Sequence, residues 1–508
     1  MSKSQKAFLC LNSEDNVIVA LRNIQKGECL MDGKVVVKQD ILQGHKIIIQ
    51  NANKGDLIIK FGQSIGMLSQ NVKSGEHIHT HNLSMRGGQT NYEYSTDVKT
   101  IKEASGKRFF DGYLRPNGKV GTRNYIGIIT TVNCSGSVAK FIADQVVKNG
   151  VLNGYDNIDG IVPLVHGTGC GMSTNGEGYE TLFRTITGYT QHANFGAILL
   201  IGLGCEVMQL SDLIGDQKIT TDGNLRYMTI QSLGGTRKTV DRGVEIIAEL
   251  AELANTVCRS SQPISHLCIG MQCGGSDGHS GITANPVLGM ASDKLISYGA
   301  TTILSETSEI YGAEQLLTKR AETIEVGRQL IERVRWWEDY CTRNGGEMNN
   351  NPSPGNKRGG LTTILEKSLG AVAKSGSAPL SGVYKYAEPI DKKGLVFMDS
   401  PGYDPASVTG QTASGANMIV FTTGRGSVSG YKPAPCIKLA TNSAMYKRLA
   451  EDMDLNCGDI ISDGTSMLDK SLELFFLIID VASGKQSKSE KLGFGGCEFV
   501  PWQIGAVM

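Results

Sequence analysis

The chain has 508 residues, of which 40% are hydrophobic and 20% charged, and its formal net charge at pH 7 is zero. This composition predicts a globular protein of about two to four domains, and the neutral balance gives no reason to expect nucleic acid or a membrane surface as partner. We find no secretory signal and no run of the roughly 18 apolar residues that a membrane span needs. We therefore expect a cytoplasmic protein, in which most of the twelve cysteines are free thiols.

The first 84 residues predict a small all-β domain. Short β-branched runs at 16–21 and 35–37 lie between glycine-marked turns. Residues 85–108 are polar and lack periodicity, which is typical of a linker.

From residue 109 the pattern changes to alternating strands and helices. Apolar runs predict strands at 125–132, 159–165, 197–203 and 266–270, and a helix is expected at 138–148. Further along, helical periodicity covers 313–335, and strands are expected at 394–398, 418–422 and 437–440. The prediction is a multidomain α/β protein: the all-β domain is followed by a middle domain at 109–260 and a C-terminal domain at 261–508, both with largely parallel sheets.

Four cysteines follow predicted strands, each in a glycine-containing turn: Cys134, Cys170, Cys205 and Cys273. Ligands of open parallel sheets gather beyond the carboxyl ends of the strands. We therefore expect these turns to converge. The other cysteines lack such a setting and are expected to be small buried hydrophobic residues.

The run from Met271 to Gly281 is the strongest candidate site. It places the thiol of Cys273 close to Asp277 and His279, among glycines that a packed helix or strand would disfavour. Glu206, beside Cys205, offers a similar mixture of thiol and carboxylate. His166 follows a predicted strand and is a candidate general base, although a turn histidine bonded to backbone fits almost as well.

Three histidines, His77, His79 and His81, alternate within five residues. In an extended strand they would share one face and suit a divalent metal ion; a solvated loop is the alternative. Three basic segments are candidates for binding an anionic substrate through Arg123, Lys357 and Arg425. Arg425 is favoured because glycines flank it after an apolar strand.

At these residues the chain resembles the altronate/galactarate dehydratase family of sugar-acid enzymes. The similarity spans nearly the whole chain, and the matching segments occur in the order typical of the family: 75–82, 112–124, 202–206, 272–286, 351–360, 421–426 and 437–443. The resemblance implies an N-terminal SAF-type β-clip domain and two α/β domains. It also implies dehydration of an aldonic or aldaric acid with a divalent metal, typically iron(II), with Mn²⁺ or Mg²⁺ as alternatives.

The resemblance leaves the subfamily open. The triple histidine is similar to the altronate type, whereas the segments 271–273, 372–376 and 479–485 are closer to the galactarate type. Sulfolactate sulfo-lyase is a third relative of similar architecture. A non-catalytic sugar-acid sensor is the alternative from another class. We expect a small sugar acid as the partner, and homo-oligomerisation stays open.

Dehydration of a 2,3-dihydroxy acid removes the weakly acidic proton α to the carboxylate and expels the β-hydroxyl. A metal ion can stabilise the developing charge as a Lewis acid, and a positioned base adds to the rate. Our hypothesis places the metal among His77, His79, Cys273 and Glu206. Catalysis is assigned to His166, Cys273, Asp277 and His279, and substrate binding to Arg123, Lys357 and Arg425. An iron–sulfur cluster on the four cysteine turns is a variant that their spacing does not favour.

Overall fold

The structure, a computed structural model, describes residues 6–85, 91–215 and 223–505. The N-terminal domain is all-β and combines a four-stranded antiparallel sheet in the order β1-β2-β5-β8, a β3-β4 hairpin and a three-stranded sheet in the order β6-β7-β9. Its strands are β1 (Phe8–Leu9), β2 (Val17–Ala20), β3 (Cys29–Leu30), β4 (Val35–Val36), β5 (Lys46–Ile48), β6 (Leu57–Lys60), β7 (Gln63–Leu68), β8 (His77–Ile78) and β9 (Leu83–Ser84).

The middle domain is built on a parallel four-stranded sheet in the order β13-β12-β14-β15. All residues of β12 and β14 are buried, as expected of a parallel sheet covered on both faces. The strands of a small antiparallel sheet, β11-β10-β16, come before and after this parallel sheet in the chain. The elements are β10 (Phe109–Leu114), β11 (Val120–Gly121), β12 (Tyr125–Thr130), α1 (Gly136–Lys148), β13 (Gly160–Leu164), α2 (Glu177–Thr190), β14 (Phe195–Gly202), α3 (Leu210–Gly215), β15 (Leu225–Thr229), α4 (Ile230–Leu233), α5 (Thr236–Asn255) and β16 (Ser260–Pro263).

The C-terminal domain contains a fully parallel seven-stranded sheet in the order β19-β20-β18-β17-β21-β22-β23. Its strands are β17 (Cys268–Cys273), β18 (Thr301–Leu304), β19 (Leu380–Tyr384), β20 (Gly394–Met398), β21 (Met418–Thr423), β22 (Cys436–Ala440) and β23 (Leu455–Asn456). Its helices are α6 (Ala284–Ser297), α7 (Gln315–Thr318), α8 (Ile324–Arg343), α9 (Pro354–Arg358), α10 (Ile364–Val372), α11 (Asp404–Ala413), α12 (Ser443–Arg448), α13 (Asp459–Ser462), α14 (Met467–Ala482) and α15 (Lys488–Lys491). No helix of the described residues is long and apolar enough to cross a membrane.

The predicted fold class is confirmed, and most of the predicted strands are present with bounds shifted by a few residues. The helix expected at 313–335 is wrong as a single element. It is split into α7 and α8, because Thr323 adopts an extended conformation and its side chain accepts a hydrogen bond from the backbone N–H of Val326, which starts a new helix there.

The expected linker runs over the C-terminal domain in its described part. The backbone N–H groups of Ser95 and Asp97 donate to the carbonyls of Thr318 and Lys319. Residues 86–90 of this linker lie outside the described residues.

A buried ionic cluster joins the N-terminal domain to helix α10. Glu366 accepts hydrogen bonds from Lys46 Nζ at 2.9 Å and from Lys60 Nζ at 2.7 Å. Thr362 adds its backbone N–H and its hydroxyl as donors to the same carboxylate. Both lysines belong to the N-terminal domain, so the cluster fixes that domain on the C-terminal one.

Candidate active site

The C-terminal sheet has one topological switch point, between β17 and β21. The connection after β17 leads to β18 on one side, whereas the connection after β21 leads to β22 on the other. Ligands of open parallel sheets bind in the crevice outside the carboxyl ends of such strands. Here Gly274 donates its N–H to the carbonyl of Thr422, and Gly424 and Arg425 donate theirs to Gly275. The predicted site at Cys273 therefore lies where the topology favours a ligand.

Cys273 lies in a buried cluster of thiol, carboxylate and ammonium groups. Its Sγ is 2.8 Å from Lys374 Nζ and 3.5 Å from Glu309 Oε2. Lys367 Nζ donates to Glu309 Oε1 at 2.5 Å, and Lys374 Nζ is 3.6 Å from Glu306 Oε2. Both glutamates follow β18, and both lysines come from α10 and the short 3-10 helix after it.

The charges of this cluster are unevenly balanced. Burial, reinforced by Glu309, raises the pKa of Glu306 well above its usual range. For Glu309, burial acts in the same direction, but the ammonium groups of Lys367 and Lys374 outweigh it and lower the pKa. Burial raises the pKa of the Cys273 thiol to about 12, against the opposing effect of Lys374. The cluster therefore contains carboxyl and thiol groups whose ionised forms a bound metal cation could stabilise.

A divalent metal ion fits this cluster. Cys273, Glu306 and Glu309 form the one group of three metal-ligating side chains in residues 6–85, 91–215 and 223–505 whose ligand atoms lie within 4.8 Å of one another. Both carboxyl oxygens of Glu306 are buried without a hydrogen-bond partner among the described residues, which is a costly arrangement unless something else satisfies them. Glu306 also has a left-handed backbone with φ of 70°, a strained conformation that is typical of functional sites.

Asp404, at the start of α11, is the titratable group at the edge of this cluster. Burial, together with the charge of Glu309, raises its pKa to about 6. Gln272 Nε2 donates to its Oδ1 at 3.1 Å, and Ser407 orients Gln272 by donating to Oε1. A Cβ atom on Gly274 would lie 2.2 Å from Asp404 Oδ2. Glycine at 274 thus allows the carboxylate to lie against the end of β17.

The N-terminal histidines form a stacked group, although not in the predicted strand. That strand ends at Ile78, because Asn82 closes a turn by accepting from the N–H of His79 and donating to the carbonyl of His77. His45, which sequence reasoning missed, joins the group: its ring lies 5.0 Å from that of His77 and 5.1 Å from that of His79. The histidine group consists of His45, His77, His79 and His81.

The histidine group contacts the loop that carries Lys357. His79 Nε2 donates to the carbonyl of Lys357 at 2.9 Å, and His45 Nε2 donates to that of Arg358 at 3.3 Å. His45 Nδ1 is then free to accept from His77 Nε2 at 3.0 Å. Burial, followed by the neighbouring histidines, lowers the pKa of His77 to about 3, and burial lowers that of His45 to about 4. These rings are therefore neutral at pH 7.

Asp277 and His279 lie between the crevice and the histidine group. Asp277 accepts from Thr441 Oγ1 at 3.0 Å and from Asn442 Nδ2 at 3.1 Å, and it also accepts from Ser280 and from the N–H of His279. These hydrogen bonds give Asp277 an organising role in the loop. His279 is buried, and its Nε2 lacks a hydrogen-bond partner among the described residues.

The structure divides the four cysteine turns between two sheets. Cys273 lies on the C-terminal sheet, whereas Cys134, Cys170 and Cys205 follow β12, β13 and β14 of the middle-domain sheet. Cys273 therefore does not share the sheet edge of the other three cysteines, on which the expected convergence rested. Its strand belongs to another sheet, whose carboxyl edge it shares with β18 and β21.

His166 and Glu206 lie in the middle domain and hold its loops. His166 Nε2 donates to the carbonyl of Thr130 at 2.9 Å, and its Nδ1 accepts from the N–H of Thr168. Burial lowers its pKa to about 4. Glu206 accepts from Thr131 Oγ1 at 2.7 Å and from the N–H groups of Leu203 and Gly204. Neither side chain is part of the Cys273 cluster.

The three basic candidates have different surroundings. Arg123 is buried and forms a two-point ion pair with Glu490, at 2.6 and 2.8 Å. Lys357 is half-buried beside the histidine group. Arg425 is exposed next to Gly275 and has no carboxylate within salt-bridge distance in the part of the chain that the structure describes. Arg425 is therefore the best placed of the three to meet an anionic ligand at the crevice.

Five residues of this site were missed by sequence reasoning: Glu306, Glu309, Lys367, Lys374 and Asp404. Three of them had a usable signal, because Glu306, Glu309 and Asp404 follow strands of the same sheet closely, as Cys273 does. The lysines had none, since lysine in a helix normally indicates a solvent-exposed face.

Three family models match consecutive parts of the chain. They are the altronate/galactarate dehydratase SAF domain at residues 6–86, the D-galactarate dehydratase/altronate hydrolase second domain at 112–255, and the D-galactarate/altronate dehydratase C-terminal region at 264–507.

Curated relatives match over nearly the whole length. Altronate dehydratase of Bacillus subtilis (strain 168) is 36% identical over 96% of this chain and 97% of its own. Altronate dehydratase of Escherichia coli (strain K12) is 33% identical over the same shares. Galactarate dehydratase (L-threo-forming) of the same organism is 34% identical over 94% of this chain and 93% of its own. The chain belongs to the D-galactarate/altronate dehydratase family.

Proposed function

We propose that the protein is a sugar-acid dehydratase that removes water from an aldonic or aldaric acid, with the aldonic acid altronate as the first candidate and the aldaric acid galactarate as the alternative. The observation that carries the proposal is the buried Cys273–Glu306–Glu309 group beside Asp404, at the switch point of the C-terminal sheet. The triple histidine and the two altronate dehydratase relatives support altronate. A small sugar acid is the only partner that the proposal requires, and all twelve cysteines being free is consistent with a reducing cytoplasm.

The metal belongs to the Cys273 group in this proposal. Cys273, Glu306 and Glu309 would hold a divalent ion, for which we propose iron(II), because one sulfur and two carboxylate donors suit a first-row transition metal better than Mg²⁺. When bound, such an ion supplies Lewis acidity toward a carboxylate and a hydroxyl of the substrate. His77, His79 and Glu206 are left outside this ligand set.

Asp404 is the proposed base. A carboxyl group with a pKa of about 6 is mostly ionised at pH 7 and still basic enough to take a proton. It replaces His166 and His279 in this role, since both ring nitrogens of His166 are engaged and His279 is buried within the loop.

The remaining charged groups of the site would bind the substrate or stabilise the transition state. Arg425 would hold the substrate carboxylate at the mouth of the crevice. Lys367 and Lys374 keep positive charge close to the place where negative charge develops as the α-proton leaves, which stabilises the transition state electrostatically. The proton that Asp404 takes from the α-carbon balances the one that the β-hydroxyl needs to leave as water, and the enol becomes a 2-keto-3-deoxy acid.

A substrate assay tests the proposal. The purified protein, supplied with ferrous iron without oxygen, is incubated separately with altronate, galactarate and sulfolactate. Formation of the keto acid from altronate is expected. Turnover of sulfolactate alone, or of none of the three, would refute the proposed function.

A matched pair of cysteine variants tests the site. Cys273→Ala is expected to abolish turnover and to reduce bound iron. Cys457→Ala removes a similarly buried thiol, 0% exposed, which follows the edge strand β23 of the same sheet, and should keep both. Loss of activity in both variants would indicate a packing defect instead of a site.

A further inference from the structure

The middle domain carries three cysteines that the proposed active site does not use. Cys134, Cys170 and Cys205 follow β12, β13 and β14, which are immediate neighbours in a parallel sheet. Their carboxyl ends therefore meet at one edge. All three side chains are exposed and none is in a disulfide.

Backbone hydrogen bonds hold the three loops together. The N–H of Asn133 donates to the carbonyl of Thr168 at 3.0 Å, and the N–H groups of Val207 and Met208 donate to the carbonyl of Gly169 at 3.0 and 3.1 Å. The loop that carries Cys170 is thus bonded on one side to the residue before Cys134 and on the other to the segment just after Cys205.

Glycine makes this close approach possible. A Cβ atom on Gly169 would lie 2.1 Å from the carbonyl oxygen of Thr131, and its φ of 101° is one that other residues rarely adopt. Gly171, on the other side of Cys170, and Gly204, which precedes Cys205, also have positive φ. Glu206 and His166 hold the same loops in place through their buried hydrogen bonds.

The spacing of the thiols argues against a single ion held by all three and leaves room for a cluster. They are not among the groups of the described residues whose ligand atoms lie within 4.8 Å of one another. A single ion needs its ligands that close. An iron–sulfur cluster does not, because each thiolate binds a different iron.

We propose that Cys134, Cys170 and Cys205 bind a four-iron, four-sulfide cluster with one iron free of protein thiolate. Each thiol loses its proton as it binds iron, and the iron and sulfide come from a cluster donor or from reconstitution. The open iron could take an oxygen ligand, such as a carboxylate or a hydroxyl. The proposal modifies the four-cysteine hypothesis by leaving out Cys273, and it does not depend on the proposed function.

Reconstitution without oxygen tests this proposal. The full chain is treated with ferrous iron, sulfide and a thiol reductant and then desalted, and iron, acid-labile sulfide and visible absorption are measured. About four iron and four sulfide per chain, with broad sulfide-to-iron charge-transfer absorption, are expected. Iron without sulfide would overturn the proposal.

Matched variants assign the ligands. The triple variant Cys134→Ser/Cys170→Ser/Cys205→Ser is expected to lose the sulfide and the visible absorption. The control Cys29→Ser/Cys258→Ser/Cys497→Ser removes three other thiols, which are exposed and not buried as expected from the sequence, and it should keep the sulfide and the absorption. A triple variant that binds as much sulfide as the wild type would refute the assignment. Single variants, each expected to lower cluster content at least twofold, give the same decision if the triple variant does not fold.

The cluster and the proposed active site are tested separately. Cys273→Ala should retain full cluster content, because Cys273 lies on the other sheet. A cluster that is absent while altronate is still dehydrated would refute only this inference, and a cluster that is present without turnover would refute only the proposed function.

Discussion

Substitution of Glu366 by Gln should strongly destabilise the protein. Glu366 is fully buried and forms ion pairs with two lysines whose side chains are 0% and 2% exposed. Gln keeps the shape but removes the charge, so that two ammonium groups share one buried site. Removing one partner of a buried ion pair typically costs about 3–5 kcal/mol. We expect a loss in that range at pH 7, because the hydrogen bonds from Thr362 survive the substitution only in part.

The loss should depend on pH. Burial lowers the pKa of Lys46 to about 8 even with Glu366 present. Without the carboxylate the folded-state pKa falls further, whereas the unfolded value stays near 10.4. The folded variant then binds fewer protons than the unfolded chain, so its stability increases with pH from a lower starting point than in the wild type. The cost of the substitution should therefore shrink between pH 6 and pH 8, by up to about 1.4 kcal/mol per pH unit.

Urea unfolding followed by tryptophan fluorescence measures this effect. The three tryptophans, Trp336, Trp337 and Trp502, lie together in the C-terminal domain and report its unfolding. Asp97→Asn is the control, since its pair with Lys99 is exposed and should contribute at most about 1 kcal/mol. A loss for Glu366→Gln no larger than the control's, or one that grows between pH 6 and pH 8, would refute the reasoning.

Three further predictions concern the proposed site. Asp404→Asn should lower kcat about 10²–10⁴-fold, and wild-type kcat/KM should fall as pH drops below about 6, because the base is then protonated; a flat pH profile would contradict the role. Glu306→Gln should keep its stability in chelator but lose the gain that saturating iron(II) gives the wild type, about 2.7 kcal/mol at a hundredfold excess over Kd, as thermal unfolding can show. Gly274→Ala should reduce turnover with little loss of bound iron, because its Cβ would displace the Asp404 carboxylate; unchanged kinetics would count against the placement of Asp404.

The fold was largely predictable because the parallel strands are buried on both faces. The eight residues of β14, Phe195–Gly202, are all buried, and such a strand is visible as a continuous apolar run. The position of Cys273 at a strand end was predictable for the same reason, since it ends one of these runs among glycines. The division of the cysteine turns between two sheets was not, because sheet membership depends on strand pairing that the local sequence does not encode.

The charged part of the site could not be read from the sequence. Lys374 is 1% exposed, against the usual preference of lysine for solvent, and is stabilised there by Cys273 and the glutamates across the cluster. This balance of charges arises only in the tertiary structure, because each of these groups would be unfavourable in the buried cluster without the others. The histidines show the same limit, because the spacing indicated three rings, whereas the fourth, His45, is more than thirty residues away in the sequence and reaches the group through β5–β8 pairing.

Helix α10 connects the N-terminal domain to the proposed active site. Its adjacent residues Glu366 and Lys367 point to different partners: Glu366 binds the two lysines of the N-terminal domain, and Lys367 binds Glu309 of the Cys273 cluster. Neighbouring residues on a helix belong to the same turn of backbone, so a displacement of that turn moves both. Docking of the N-terminal domain therefore also sets the position of Lys367. We infer that the N-terminal domain acts on the proposed site through α10, without a need for its histidines to bind a metal.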